Sequence, residues 1–165
     1  MTASGSEKPT LKLNRDYGLS TLSFSGDDDL DISSMTNGMT GDQKHSIFVV
    51  VKNTKDDGNN QTFFKYGTAT SNGQQSRLEY RHNDGDLRHS WYGGNRMYPE
   101  QEERTLGHTT RILFVYSGGG TSNVGLRINN ADDYKVSSDS SITPNLPATT
   151  TMTFGSSGGA SFFTG

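Results

Sequence analysis

Cysteine is absent from the 165 residues of the chain. The fold therefore needs no disulfide, a cysteine nucleophile is excluded, and redox chemistry says nothing about the compartment. Long apolar runs are also lacking. No segment approaches the roughly 18 consecutive apolar residues of a membrane-spanning helix, so we expect no membrane insertion. Residues 1–8 are small and polar, and they lack the apolar stretch of a signal peptide.

Neither sign of charge dominates the chain, since 15 Lys and Arg oppose 18 Asp and Glu. This balance argues against a nucleic acid or an anionic membrane as the partner. Hydrophobic residues make up 29% and the mean hydropathy is -0.74, values that alone would suggest disorder. However, the 8 Phe and 7 Tyr and the β-branched residues cluster in short blocks, which is typical of β-strands.

The blocks predict an all-β chain. No segment shows helical periodicity, whereas about nine or ten short blocks have strand character. Asn123–Asn129 alternates cleanly, as a half-buried strand does. Ile47–Val51 is apolar at every position, which predicts a central strand covered on both faces. Without crossover helices, an antiparallel sandwich or barrel follows. We expect residues 1–10 to be a flexible leader and residues 11–165 a single β-sandwich domain.

A hairpin over Ser76–Tyr92 is the best-defined local feature, because Asp84-Gly85 is typical of a two-residue type I′ turn. That turn predicts these pairs: Leu78 with Trp91, Glu79 with Ser90, Tyr80 with His89, Arg81 with Arg88 and His82 with Leu87. One face is then predicted to be buried or to line a ligand: Leu78, Tyr80, His82, Leu87, His89 and Trp91. The other is predicted to be solvated or to make contacts: Arg77, Glu79, Arg81, Arg88 and Tyr92.

Four groups of residues carry a family resemblance through their order and spacing: Leu22–Ile32, His45–Lys52, Arg111–Ser117 with Asn123–Asn130, and Phe154-Gly155 with Phe162–Gly165. The first reads apolar-Ser-Phe-x-Gly-x-Asp-Asp before the next apolar strand. Together they resemble the laminin-G-like domains of the concanavalin A-like lectin/glucanase superfamily. The resemblance implies a two-sheet jelly-roll sandwich that recognises a carbohydrate or a receptor.

The sequence departs from the family at its end. Family members usually continue past the final Gly with another strand, whereas this sequence ends at Gly165. We therefore expect a core strand to be missing, to be supplied by Leu11–Asn14, or to be supplied by another chain. An open edge of this kind favours assembly with other subunits through strand addition.

A sugar platform is the first candidate site, because aromatic rings pack on sugar C–H faces. Tyr92 is the better exposed candidate, while Trp91 is expected in the core. Arg81 and Arg88 face each other in the predicted hairpin, and like charges in such a pair repel. A nearby carboxylate, such as that of Glu79, would relieve this repulsion. Without one, the two arginines would bind an acidic sugar, a phosphate or a carboxylate of a partner subunit. The candidate ligand-binding residues are Tyr92, Arg81, Arg88, Asn95, Tyr98 and Trp91.

An acidic cluster is the second candidate site, and it comprises Asp27, Asp28, Asp29 and Asp31. Carboxylates at this spacing could hold Ca²⁺, which prefers oxygen ligands. They could equally be turn residues whose side chains accept hydrogen bonds from nearby backbone N–H groups. The EF-hand loop pattern is absent.

Catalysis has little support in the sequence. Retaining glycosidases need two carboxylates across the scissile bond, and the alternating Glu-x-Asp-x-Glu strand of this superfamily does not occur here. We expect a non-enzymatic module that binds a carbohydrate or receptor on a particle or cell surface. The alternative is a structural virion or phage subunit (decoration, capsid or fibre) that works by protein–protein assembly. A glycoside hydrolase is the weaker alternative. The first two hypotheses place the chain outside the cell or on a virion surface.

Overall fold

The computed structural model describes residues 8–16, 18–36, 39–54, 58–82, 87–93, 96–97, 109–118, 124–129, 135–136, 144–156 and 164–165. All regular secondary structure in these ranges is β-strand, which confirms the predicted all-β class. Among them there is accordingly no helix with the length and apolar character needed to cross a bilayer.

The described residues form twelve strands: β1 (Thr10–Asp16), β2 (Leu19–Ser23), β3 (Leu30–Thr36), β4 (His45–Lys52), β5 (Gln61–Gly67), β6 (Gln75–Tyr80), β7 (Leu87–Trp91), β8 (Arg96–Met97), β9 (Thr109–Tyr116), β10 (Val124–Ile128), β11 (Lys135–Val136) and β12 (Thr149–Phe154). They build a six-stranded sheet of order β3-β12-β5-β6-β7-β8, a four-stranded sheet of order β11-β10-β9-β4, and a two-stranded sheet, β1-β2. Every pair is antiparallel.

The hairpin of β6 and β7 exists, but its predicted register is wrong by two residues. The observed pairs are Ser76 with Trp91, Arg77 with Ser90, Leu78 with His89, Glu79 with Arg88 and Tyr80 with Leu87. The observed register sets a carboxylate against Arg88, whereas the predicted one set Arg81 against it, and like charges across a strand pair repel. A two-residue shift leaves the faces unchanged. The face predicted to be solvated is nevertheless buried at Glu79 and Arg88.

The four-stranded sheet overturns the prediction for Ile47–Val51. Within the described structure β4 lies at the edge of this sheet and pairs with β9. Its side chains alternate, so Ile47 and Val49 are half-buried while Phe48 and Val50 are 64% and 54% exposed. Only the inner face of β4 packs on the core, so the prediction of a central strand covered on both faces is wrong.

Aromatic side chains join the two larger sheets. Trp91 of β7 packs edge-on against Tyr116 of β9, with ring centroids 5.5 Å apart. His89 of β7 stacks on Phe114 of β9 at 3.9 Å. Two antiparallel sheets that share one core in this way give the chain a sandwich-like character. Other fully buried members of the core are Phe64, Tyr66, Leu78, Ile112 and Leu126.

The segment Thr164–Gly165 lies against residues from the opposite end of the sequence. The Phe24 N–H donates to the Gly165 carbonyl at 2.7 Å, and the Gly165 N–H donates to the Phe24 carbonyl at 3.1 Å. Leu11–Asn14 lies in β1, which pairs with β2 rather than with either larger sheet. The alternative in which Leu11–Asn14 supplies the last core strand is therefore not what the structure shows.

Candidate interaction surfaces

Trp91, the last residue of β7, and Tyr92, which follows it, differ in their burial. Trp91 is 3% exposed and lies between the sheets, whereas the neighbouring Tyr92 is 42% exposed. Adjacent residues of a strand point to opposite faces, so one ring fills the core and the next faces solvent. Trp91 therefore belongs to the core, and a sugar platform on it is not available in this structure.

Tyr92 and Arg81 lie at opposite ends of the hairpin. The Tyr92 N–H donates to the carbonyl of Gln75, at the start of β6, at 3.0 Å. Arg81 directly follows Tyr80, the last residue of β6. Six residues of extended chain span about 20 Å, so these two predicted ligand-binding residues do not share a site. Asn95 and Tyr98 lie outside the described residues.

Arg88 is held by a carboxylate of its own sheet. Its guanidinium group pairs with Oε1 of Glu79, and Nε of Arg77 lies 2.9 Å from Oε2 of the same carboxylate. Glu79 is therefore the local carboxylate partner of Arg88, as the sequence suggested, while Arg81 does not face Arg88 in the observed register. Arg88, which is buried, therefore needs no anionic ligand to be stable at this position.

The acidic cluster has the geometry of a turn. Oδ2 of Asp28 accepts hydrogen bonds from the Ser25 N–H at 2.7 Å and from the Ser25 hydroxyl at 3.1 Å. Oδ2 of Asp29 accepts one from the Ser156 hydroxyl at 3.1 Å. Burial lowers the pKa of Lys65, and the negative charges of Asp31 and Asp29 oppose that shift. Asp28 and Asp29 thus accept hydrogen bonds from protein N–H and O–H groups, as carboxylates in turns commonly do.

Asp27 is the exposed member of the same cluster, and its Oδ1 accepts a hydrogen bond from the Ser25 hydroxyl at 3.2 Å. Among the described residues, no group of three or more His, Asp or Glu side chains is placed to hold a metal ion. Nothing in the geometry of Asp27, Asp28, Asp29 and Asp31 therefore adds support for a Ca²⁺ site.

Two histidines lie in the aromatic core. Nε2 of His89 is 2.9 Å from the Ser76 hydroxyl, and both residues are buried. Burial, and secondarily the neighbouring His45, hold the pKa of His89 well below 6.5. Burial also lowers the pKa of His45, although Nδ1 of His45 lies 2.8 Å from the Gln43 carbonyl, which opposes the shift. Ser–His pairs can act as nucleophiles when a substrate reaches them, but this pair is covered by Phe114.

Strands β1 and β2 form a two-stranded ribbon that exposes several leucine side chains, and we call it the leucine ribbon. This exposed apolar surface was not expected from the sequence. The two strands pair with each other and with neither larger sheet. Leu11 is 58% and Leu13 is 66% exposed, and Leu11 faces Leu22 across the ribbon. The sequence pattern that could have revealed this surface is the alternation Leu11-Lys12-Leu13, which predicts a strand with one apolar face. The exposed leucines of the ribbon are Leu11, Leu13, Leu19 and Leu22.

A second apolar surface lies on the outer face of the four-stranded sheet. Phe48 faces Leu113 across β4 and β9, and Val50 faces Arg111. Phe48 and Val50 are exposed, and Leu113 is half-buried. A continuous apolar run is compatible with a strand buried on both faces and with a strand whose outer face contacts another protein. The sequence alone does not distinguish these two cases.

Comparison of the sequence with protein-family models and with curated proteins finds no match.

Proposed function

We propose that this protein is a non-enzymatic structural subunit that assembles with copies of itself through protein–protein contacts. The observation that carries the proposal is the leucine ribbon. A two-stranded ribbon on its own is marginally stable in water. Burying a leucine side chain contributes roughly 1.5–3 kcal/mol, so the exposed leucines of the ribbon have much to gain from a partner surface.

The resemblance to laminin-G-like domains belongs to the same proposal. Jelly-roll sandwiches are widespread among virion and surface proteins, and we propose a concanavalin A-like jelly roll working as a decoration, capsid or fibre subunit on a virion or in another extracellular assembly. Two features support this fold: the order of the matching segments, and the pairing of β3 with β12, early and late strands of the six-stranded sheet. Fold alone does not fix function, so the assembly hypothesis depends on the ribbon.

Sedimentation velocity over a concentration series tests the proposal. We expect the wild-type chain to form oligomers, and we expect Leu13→Lys to shift it toward the monomer. The matched control is Thr10→Lys, which adds the same charge at an exposed position on the other face of β1. Far-UV circular dichroism checks that both variants fold. A wild-type chain that stays monomeric at every concentration would refute self-assembly.

Glycan binding is the second candidate function, and one observation favours it. The exposed ring of Tyr92 precedes Gly93, whose backbone lies against the Asn72 side chain. An exposed aromatic ring suits a sugar because it packs on C–H groups, and an amide such as that of Asn72 can bond sugar hydroxyls. A glycan array with Ca²⁺ and again with EDTA tests this hypothesis. We expect selective binding that Tyr92→Ala abolishes, and an array that is silent in both conditions would reject it.

A further inference from the structure

Four residues of β4 direct their backbone groups away from the sheet. The Asn129 N–H donates to the Arg111 carbonyl at 2.8 Å, so Arg111 of β9 directs its backbone toward β10. Backbone direction alternates along an antiparallel strand, so Ile112 and Phe114 direct theirs toward β4. Their partners there are Val49 and Ile47. The intervening residues of β4 therefore direct their N–H and C=O groups to the open edge: Ser46, Phe48, Val50 and Lys52.

The same four residues also expose their side chains. Natural edge strands often carry lysine, proline, a bulge or an inward-pointing charge that blocks pairing. β4 has the sequence HSIFVVVK and contains no proline, and its register with β9 runs without a shift from His45 to Lys52. Lys52 is its one charged residue apart from the histidine at its start. In the part of the chain that the structure describes, no strand pairs with this edge from Ser46 to Lys52, so the edge is open to strand addition there.

We propose that the β4 edge pairs antiparallel with the β4 edge of a second copy, so that two four-stranded sheets join into one sheet across a two-fold axis. This inference rests on the proposed function and names one interface of the assembly. The outward residues read polar, apolar, apolar, polar: Ser46, Phe48, Val50, Lys52. That order is the same in both directions, as a two-fold contact between identical edges requires.

One register between the two β4 strands suits the four outward-directed residues best. Phe48 lies opposite Val50 of the second copy, and Ser46 lies opposite Lys52 of the second copy. The apolar side chains then meet at the centre of the contact, extended on each side by Leu113, which neighbours Phe48. The two Lys52 side chains stand six residues apart along the strands, about 20 Å, which exceeds the screening length of about 8 Å at physiological salt.

Neighbouring registers are worse. A shift of two residues in one direction sets each Phe48 opposite Lys52 of the other copy, so one Val50–Val50 pair replaces the two Phe48–Val50 pairs. A shift of two in the other direction sets Lys44 opposite Lys52 of the second copy, and like charges directly opposite repel. A shift of one residue would set outward-directed backbone groups against groups already bonded to β9, so fewer bonds would form.

The first test removes one edge donor while the apolar side-chain character is kept. Val50→Pro deletes an N–H that faces the open edge, and edge strands tolerate proline there. Two hydrogen bonds are lost per dimer, so we expect the dimer dissociation constant to rise by about thirtyfold in sedimentation equilibrium. Leu113→Ser is the control, because it trims the outer apolar face on β9 and leaves the edge intact; we expect a smaller rise. A constant that Val50→Pro leaves unchanged would overturn the inference.

The second test determines the register by disulfide cross-linking. The chain contains no cysteine of its own, so only introduced cysteines can form the cross-link. Opposed residues in a hydrogen-bonded pair lie about 5.5 Å apart at Cα, within reach of a disulfide. We expect a mixture of Phe48→Cys and Val50→Cys chains to cross-link on oxidation, and each variant alone to remain uncrosslinked. Equal cross-linking in all three samples, or in none, would contradict the proposed register.

The outcomes separate this inference from the assembly function on which it rests. Oligomers that Leu13→Lys dissociates and Val50→Pro leaves intact would reject the β4 contact and retain assembly through the leucine ribbon. A wild-type chain that is monomeric throughout would reject both.

Discussion

Glu79 and Arg88 face each other across β6 and β7 and form an ion pair in which both side chains are buried. The second carboxylate oxygen of Glu79 lies 2.9 Å from Nε of Arg77. The two-residue slip predicted from Asp84-Gly85 would set Arg81 against Arg88 and Ser90 against Glu79. Two buried charges would then lose their partner, which is costly in a protein interior. Charge pairing therefore favours the observed register over the one expected from the turn.

The first prediction follows from that pair. Glu79→Gln leaves the Arg88 guanidinium buried without a counter-charge, so we expect it to lower the free energy of unfolding by about 3–5 kcal/mol. Arg77→Gln breaks the more exposed contact of the same carboxylate and should lower it by less than about 1 kcal/mol. Urea denaturation followed by circular dichroism measures both. Equal losses in the two variants would show that burial does not set the strength of this network.

The second prediction concerns pH. The pKa values of His89 and His45 are held below 6.5 in the folded chain, chiefly by burial. Well above pH 6.5 both histidines are neutral in the folded and the unfolded chain, so they do not change the free energy of unfolding there. As the pH falls below 6.5, the unfolded chain binds protons that the folded core rejects, so the free energy of unfolding decreases. We expect urea midpoints to fall between pH 7 and pH 5.

A double variant isolates the histidine in that experiment. Ser76→Ala with His89→Phe removes the titrating ring and the hydroxyl that contacts it, and it keeps an aromatic group against Phe114. We expect the pH dependence between pH 7 and pH 5 to become shallower in this variant. A slope identical to that of the wild type would assign the pH dependence to other groups.

The third prediction contrasts two neighbouring aromatic residues. Trp91 is buried between the sheets and Tyr92 is exposed. Trp91→Ala leaves a cavity beside Tyr116 and should lower the free energy of unfolding by about 3–5 kcal/mol. Tyr92→Ala should change it by no more than about 0.5 kcal/mol. Because Trp91 is the one tryptophan of the chain, acrylamide quenching of its fluorescence should be weak until the protein unfolds. Strong quenching in the folded state would contradict its burial.

The sequence predicted which segments form strands, and which side chains of the hairpin share a face, better than it predicted how the strands pair. Clustered β-branched and aromatic residues marked β4, β5 and β9, and the alternation along the hairpin placed Leu78 and Trp91 on one face, as observed. A face depends only on the two-residue period of a strand. A register also depends on the pairing of charges such as Glu79 with Arg88, and Asp84-Gly85 carries no information about that pairing.

The exposed apolar surfaces could not be predicted for a different reason. A run such as Ile47–Val51 satisfies two-sided burial within one chain and burial against a second chain equally well. Only the structure shows that Phe48 and Val50 face outward at a sheet edge. Two of the candidate ligand-binding residues, Trp91 and Arg88, are buried instead, because aromatic or charged character alone does not distinguish a ligand site from the protein interior.

The fourth prediction tests how Phe24 is seated. Gly155 has φ of +87°, and a Cβ built there would lie 2.5 Å from Cδ1 of Phe24. Gly58 has nearly the same φ, +84°, and a Cβ there would meet nothing within 4 Å. Gly58→Ala therefore reports backbone strain alone, which should cost about 1–3 kcal/mol. Gly155→Ala adds the clash with Phe24 and should cost about 1–3 kcal/mol more.

The difference in unfolding free energy between the two glycine variants measures the clash with Phe24, because the backbone strain that they share cancels. Phe24 exchanges backbone hydrogen bonds with Gly165, so a displaced ring should also loosen Thr164–Gly165. Hydrogen exchange of the Gly165 amide measures that effect, and we expect it to quicken in Gly155→Ala and to stay unchanged in Gly58→Ala. Equal unfolding free energies in the two variants would mean that Phe24 can move aside without loss, and that close packing against Gly155 contributes nothing to stability.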